Sequence, residues 1–386
     1  MTFDTCIIFY VVIAEVIMNK ENVPEYIKVS DWLRYQVTSH KLIPGQKIYS
    51  ENELCRMFCL SRQTIRHSIN ILINEEILES HRGSGTYVCD PEKIRRMRCA
   101  HIAVITTYVD TYIFPNTIRG IEDVLSKNGY TVQISFTNNE PEREGHVLED
   151  ILKRHDVSGI IIEATKSSLP NMNRPLFREL QRRNIPLIFI NSYYSWIKAP
   201  HVTMNDARAG YRATKYLISK GHRIIGGIFK ADDGQGNKRY SGYCRAMSEA
   251  GLAYDTPHVI WIDTEDVRHI EDIGSKLKER LRDCTGVLCY NDEVARALIR
   301  ILDEFGIKVP DDLSIVSIDN SDLAKYGGIK LTSFPHPMEK LGETAATNLI
   351  RLIHDPGFDA SYEFDESIIE RESVKDINKP SSGAHR

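Results

Sequence analysis

Ser61, Arg62, Gln63, Thr64 and Arg66 fall within six positions, a set able to hydrogen-bond both phosphates and the edges of bases. Arginine suits the acceptors of guanine, glutamine suits adenine, and both suit phosphate. For that chemistry the side chains have to leave one end of one helix together. Ser50 and Glu53 carry the S-x-x-E spacing of a capping box, in which hydroxyl and carboxylate each satisfy an orphan backbone N–H, so a helix is expected to begin there with Glu51 in its first turn. Ser61 can cap a second helix, whose Ile65, Ile69, Leu72 and Ile73 form an apolar stripe at i, i+4, i+7 and i+8. Arg62, Gln63, Arg66, His67 and Asn70 occupy a neighbouring arc, concentrated in the first two turns. Two short amphipathic helices joined by a tight turn also occur as plain core packing with a solvated polar face, and residues 50–72 alone do not separate these readings.

Flanking sequence does. Upstream, Val29, Leu33 and Val37 predict a helix followed by a Pro44-Gly45 turn. Downstream, Ile77–Ser80 and Thr86–Val88 read as short strands around a Gly-rich hairpin that carries Arg82 and Gly83. That order is a winged helix-turn-helix. It strongly resembles the GntR family of bacterial regulators, whose Pro-Gly, Ser-Glu-x-x-Leu, Ser-Arg-x-Thr-[VI]-Arg and G-x-G-T-[YF]-V pattern is met by Pro44-Gly45, Ser50-Glu51 with Leu54, Ser61-Arg62 with Thr64-Ile65-Arg66, and Gly83, Gly85-Thr86-Tyr87-Val88. The resemblance implies double-stranded operator DNA as a partner, met by Glu51, Ser61, Arg62, Gln63, Thr64, Arg66, Arg82 and Gly83.

A chain of 386 residues exceeds one hydrophobic core and implies two or three domains. The net charge of −4 is unevenly spread: residues 19–98 hold 13 Lys+Arg against 10 Asp+Glu, whereas residues 99–386 hold 36 against 41. A small basic module on a larger acidic body fits a regulator better than a general nucleic-acid coat. The eight cysteines form no C-x-x-C pair and suggest neither a zinc site nor a disulfide framework, so a reducing cytoplasm is expected, with no metal and no cofactor. Residues 1–18 are a hydrophobic extension. The apolar run 6–18 is shorter than the roughly 20 residues of a spanning helix, contains Glu15, and lacks a basic leader or an A-x-A site, so translation is expected to begin at Met18, a real hydrophobic arm being the alternative. Residues 19–88 are read as the winged helix and 89–100 as a linker. The linker holds Arg95, Arg96 and Arg98, read as a solvated tether with phosphate contact as the alternative.

From His101 onward, short β-rich runs (HIAVITTYV, TVQISFT, GIIIEA, PLIFINS, IIGGIFK, HVIWID, TGVLCYN, LSIVSID) alternate with amphipathic helical stretches. Alternation at this period predicts βαβ units. The fold class is α/β, with two doubly wound parallel-sheet subdomains over residues 101–372, a ligand cleft at their carboxyl strand ends, and a flexible tail over 373–386. The first strand is followed by no G-x-G-x-x-G turn, and no P-loop, G-x-S-x-G or H-E-x-x-H occurs, so no enzyme activity is expected.

The same region is similar to the LacI/GalR family of sugar-responsive regulators through Asp206, Gly210, Ala213, Leu217 and Gly221-His222, through Arg239 and Gly242, and through Asn291-Asp292 and Ala295. Val309-Pro310, Asp312, Ser314, Asp319, Leu331-Thr332, Gly342 and Ala345 extend the match. It implies a periplasmic-binding-protein-like effector domain and a homodimer. Ser317 departs from the family's glycine, so the adjoining loop is expected to differ. A GntR-type head on a LacI-type body, with TTYVDTYIFPNTIRGIE, IFKADDGQG and CYNDE, resembles the bacterial arabinose-responsive repressors. The resemblance implies L-arabinose as effector, another sugar or a sugar phosphate being the alternative.

A pyranose needs bidentate polar groups at its edge and an aromatic ring on a face. Asp292 is read as an effector ligand or a helix N-cap, tipped to effector by the family match. Lys238 is placed where relatives carry a ligand-binding Arg. Asp319 and Glu163 end predicted strands, Tyr112 and Phe114 follow the first strand, and Phe229 is the expected stacking face, with core packing its alternative. Asp206, Asn191, Tyr193 and His336 complete the candidates, and His222 is read as closing a helix.

Overall fold

The computed structural model describes residues 24–39, 41–75, 77–81, 83–90, 101–154, 156–254 and 257–379. The expectations for residues 1–18, Met18, Arg82, the linker arginines and residues beyond 379 lie outside them, whereas residues 373–377, expected in a flexible tail, are tied to the body through Ser373, Lys375 and Ile377. The chain divides into two compact units, within residues 1–99 and 100–386.

In the first unit, α1 (Glu25–Thr38), α2 (Glu51–Phe58) and α3 (Arg62–Asn74) precede an antiparallel hairpin of β1 (Leu78–His81) and β2 (Gly85–Val88), paired from Leu78↔Val88 to His81↔Gly85. The capping box is formed: Ser50 N–H donates to Glu53 Oε2 at 2.7 Å and Glu53 N–H donates to Ser50 Oγ at 3.3 Å. Cys59, in left-handed backbone (φ 55°), stops α2, and Ser61 Oγ accepts from Thr64 N–H at 3.2 Å to start α3. Val29, Trp32, Leu33, Leu54, Ile65, Ile69, Leu72, Leu78 and Val88 bury against one another. The apolar stripe of α3 is therefore consumed by packing, which fixes the direction in which its polar arc faces.

The second unit is two lobes. In the N-lobe, β3 (His101–Thr106), β4 (Thr131–Phe136), β5 (Val157–Glu163), β6 (Leu187–Ile190), β7 (His201–Met204) and β13 (Tyr362–Phe364) form a sheet in the order β13-β7-β6-β5-β3-β4. In the C-lobe, β8 (Ile225–Lys230), β9 (Val259–Ile262), β10 (Gly286–Cys289), β11 (Ser314–Asp319) and β12 (Thr332–Pro335) are ordered β12-β11-β10-β8-β9. Every pairing in both sheets is parallel. Strand order reverses at β3 in one sheet and at β8 in the other, and a ligand crevice opens beyond the carboxyl ends at such switch points. The loops after β3 and β8 are thus among those that face the cleft. Three strands of the body were missed by sequence: HVTM, TSFP and YEF run only three or four residues and lie at or near sheet edges, too short for a period to register.

Helices α4 (Phe114–Lys127), α5 (Pro141–Lys153) and α6 (Arg174–Arg182) belong to the N-lobe, and α7 (Asp206–Ser219) and α8 (Gly234–Glu249) to the C-lobe. The C-lobe continues with α9 (Thr264–Arg268), α10 (Gly274–Leu281), α11 (Asp292–Glu304) and α12 (Asp322–Lys325), and α13 (Met338–His354) returns to the N-lobe core. The chain therefore crosses between lobes after β7, after β12 and after β13. Helix pairs in each lobe meet at glycines. A Cβ on Gly120 would lie 2.2 Å from Glu339 O and one on Gly342 2.1 Å from Thr117 O, which brings α4 and α13 into backbone contact. Gly210 and Gly242 do the same for α7 and α8, at 2.1 Å from Arg239 O and 2.0 Å from Ala207 O.

Gly242→Ala is expected to force α7 and α8 apart and destabilise the body by about 1–3 kcal/mol, measured as a lower thermal midpoint by circular dichroism. His336, in the crossing after β12, gives a second expectation. It is buried with neither ring nitrogen paired, and burial pulls its pKa down to about 4. The folded state thus holds it neutral, so its contribution is present above the unfolded value of 6.5 and is lost as pH falls toward 4. The difference in midpoint between wild type and His336→Gln should shrink across that window.

Candidate functional site

On α3 the polar arc is assembled by one carboxylate. Glu51 Oε2 accepts from Arg62 Nε at 2.6 Å and from Arg66 Nη2 at 3.0 Å, while Oε1 accepts from Arg66 Nε at 3.1 Å. Hydrogen bonds from Arg66 and Arg62 hold the Glu51 carboxyl below its ordinary pKa. The two arginines remain 64% and 58% exposed, beside exposed Gln63, His67 and Asn70. Such a face presents two oriented guanidiniums and an amide at the start of a helix, groups whose chemistry suits phosphates and base edges. Gly83, in left-handed backbone (φ 79°), shapes the tip of the wing.

The second site is a cavity of about 220 Å³ between the lobes of the body. Its N-lobe wall includes Thr107, Tyr108, Tyr112, Phe114, Asn139 and Glu163; its C-lobe wall includes Lys230, Asp233, Arg239, Arg268, Tyr290, Asn291, Glu293 and Asp319. Glu163, the last residue of β5, accepts from Thr107 N–H at 2.9 Å and Asn191 Nδ2 at 2.9 Å, and burial raises its pKa. Arg239 on α8 is 1% exposed. Its Nε donates to Asp206 Oδ1 at 2.9 Å, its Nη1 to Tyr290 O at 2.6 Å, and its Nη2 lies 3.5 Å from Asp319 Oδ1. Burial would discharge it, but Asp206 and Asp319 keep its pKa above the ordinary value. Lys230 is similarly neutralised, with Nζ 2.6 Å from Asp233 Oδ2 and 3.4 Å from Asp232 Oδ1. Tyr108 and Phe114 meet edge to face at 5.6 Å and supply aromatic surface. Among the described residues no group of three metal-ligating side chains converges.

Of the eight side chains expected at the cleft, Tyr112, Phe114, Glu163 and Asp319 line it. The other four lie elsewhere. Phe229 is buried against Tyr240 (5.3 Å) and Trp261 (5.9 Å), because adjacent strand residues face opposite ways and Lys230 takes the cleft side. Lys238 sits 4.1 Å over the Tyr193 ring, which stacks on His201 at 4.0 Å. Its neighbour Arg239 lines the cavity instead, since one helical residue turns the side chain by about 100°. The R-x-x-G spacing from Arg239 to Gly242 was the signal that could have found it.

Asp206 lies behind Arg239, its carboxyl raised to about 6 by burial against the pull of that guanidinium. Asp292 is buried within the C-lobe, and Asn291, not Asp292, caps α11 through Val294 N–H at 2.9 Å. The Asp292 carboxylate accepts from Ser317 Oγ, Ser333 Oγ (2.7 Å), Ser321 N–H (2.7 Å) and Ser321 Oγ (2.9 Å). Ser317, the departure from the family's glycine, thus serves that carboxylate. Burial raises the Asp292 pKa to about 6. His222 is tied by Nδ1 to Thr285 Oγ1 at 3.0 Å and by Nε2 to Lys375 O at 3.1 Å.

Residues 25–88 match the family of bacterial regulatory proteins of the gntR type, and residues 214–374 match the periplasmic binding protein-like domain. The chain is 38% identical over 351 residues to an arabinose metabolism transcriptional repressor of Halalkalibacterium halodurans, covering 89% of this chain and 93% of the relative. It is 34% identical over 366 residues to the protein of that description in Geobacillus stearothermophilus, covering 93% and 100%. Among solved structures, a LacI family transcriptional regulator from Enterococcus faecium with bound ribose superimposes with a TM-score of 0.61 at 26% identity, over 72% of this chain and 99% of that one. With a gntR-type domain in its first unit and a two-lobed cleft in its second, the chain belongs to the family of arabinose metabolism transcriptional repressors.

Proposed function

We propose that this chain acts in the cytoplasm as a homodimer that represses arabinose-utilisation genes and leaves its operator when L-arabinose enters the cleft. The observation that carries the choice of effector is the charge of the wall. Lys230, Arg239 and Arg268 face Glu163, Asp233, Glu293 and Asp319, and both buried cations are already paired. A wall with that balance has no unpaired buried cation for a phosphate, and it offers carboxylates and a guanidinium to hydroxyls. At about 220 Å³ the cavity is below the roughly 300–1,000 Å³ of drug-sized sites, which suits one monosaccharide. Ribose, a neutral pentose, occupies the Enterococcus faecium relative.

In this reading Glu163, Arg239, Asn291 and Asp319 hold sugar hydroxyls, and Phe114 with Tyr108 covers a ring face. Asp292 positions the serines behind that wall, and Asp206 anchors Arg239. The ligand is bound and released unchanged. Binding favours lobes held together, and the dimer's winged helices then no longer match their half-sites. Coupling of about 1–3 kcal/mol would loosen DNA roughly 5–150-fold. On the DNA side, Glu51 aims Arg62 and Arg66, and Ser61, Gln63, Thr64, Arg82 and Gly83 complete the contacts.

Two outcomes test this. Arg62→Ala and Arg66→Ala should each weaken operator binding by about 1–3 kcal/mol in a mobility-shift assay, with sugar affinity unaffected. In a panel of L-arabinose, D-xylose, D-galactose and L-arabinose 5-phosphate, L-arabinose should release the operator at the lowest concentration. Glu163→Gln should weaken that response by about 1.5–3 kcal/mol, the range for a hydrogen bond to a charged group. Release by the phosphate alone, or by none of them, rejects the assignment.

A further inference from the structure

The loop between β3 and α4 places one hydroxyl of the N-lobe into the C-lobe. Tyr112 Oη donates to Asp319 Oδ2 at 2.6 Å and accepts from Asp292 N–H at 3.2 Å. Both ends of the bond from Tyr112 to Asp319 are non-glycine residues in left-handed backbone: Tyr112 has φ 59° and Asp319 has φ 102°, with Asn320 following at φ 47°. For a bulky aromatic residue and for an aspartate well outside the usual left-handed well, such conformations are strained, and they persist only where surrounding contacts over-determine them. Here the two strained backbones meet across the cleft, and each holds the other's side chain.

Asp319 is also tied to α8 and to the crossing after β12. Its Oδ1 is 3.5 Å from Arg239 Nη2, and its backbone oxygen accepts from His336 N–H at 3.0 Å in the crossing that leads into α13. Tyr112, two residues before α4, is the N-lobe group that reaches this carboxylate. If the lobes separate, Oδ2 loses its donor and nothing else in the N-lobe takes its place among the described residues. One of the two side-chain anchors of the cleft carboxylate therefore depends on lobe position, the other being Arg239 of its own lobe.

We propose that Tyr112 is a positioning residue for the effector: its hydroxyl holds the Asp319 carboxylate in the orientation that receives the sugar, and does so only when the lobes are together. Sugar affinity and lobe closure are then one equilibrium. This rests on Asp319 being a sugar ligand, as proposed above.

The test uses the full chain and titrates L-arabinose and the next-best sugar of the panel by calorimetry, far enough to read weak binding. Tyr112→Phe keeps the ring and removes the hydroxyl. It should raise the dissociation constant roughly tenfold, by the same factor for both sugars, with one site per chain retained. Asp319→Asn and the double variant close the cycle. If Tyr112 acts through Asp319, the double variant binds no worse than Asp319→Asn alone. Binding by Tyr112→Phe within twofold of wild type overturns the proposal. So do losses that multiply in the double variant, and so does a loss that differs between the sugars, which would make Tyr112 a direct contact. An Asp319→Asn chain that binds sugar normally rejects instead the role given to Asp319 above.

Discussion

A guanidinium cannot be buried unpaired, and Arg239 is buried almost completely. Its partners come from three places: Asp206 at the start of α7, where the chain has just crossed between lobes; the backbone of Tyr290 after β10; and Asp319 at the end of β11. Those elements have to converge on α8 for the charge to be tolerated. The convergence builds the C-lobe floor of the cleft and sets it directly beside a crossing. The floor of the cleft and the crossing beside it are thereby one hydrogen-bonded network.

Much of this was legible in sequence because it rests on local rules. The S-x-x-E cap, the i, i+4, i+7 stripe of α3 and the glycines of the wing each determine a short piece of backbone. The alternation of apolar runs announced two parallel sheets for the same reason, and Glu163 and Asp319 were placed by their positions at strand ends. What failed was side-chain direction. Lys238 and Arg239 differ by one helical step and Phe229 and Lys230 by one strand step, so a correct element with the wrong neighbour put the aromatic in the core and the lysine outside the cleft. Asp292 failed differently: its environment is made by Ser317, Ser321 and Ser333, from segments distant in sequence, and no local pattern reveals that four donors already surround it.

The reading face follows the opposite logic to the cleft. Arg239 is hidden and must be neutralised, whereas Arg62 and Arg66 are exposed and gain from being only loosely claimed. Glu51 engages both from one carboxylate near the surface, where water screens the attraction. Such pairing orients the guanidiniums without binding them strongly, so another anion can displace the carboxylate. The same ion pair buried would have been a lock.

The glycine contacts within each lobe give the molecule its mechanical character. Helix α13 enters from one crossing and is seated backbone to backbone on α4, whose first residue, Phe114, lines the cavity. Helix α7 enters from another crossing and is seated the same way on α8, which carries Arg239. Side-chain layers can slip and absorb a small rotation; two main chains in van der Waals contact cannot. Each crossing is therefore joined through main-chain contact to a helix that supplies a wall of the cleft.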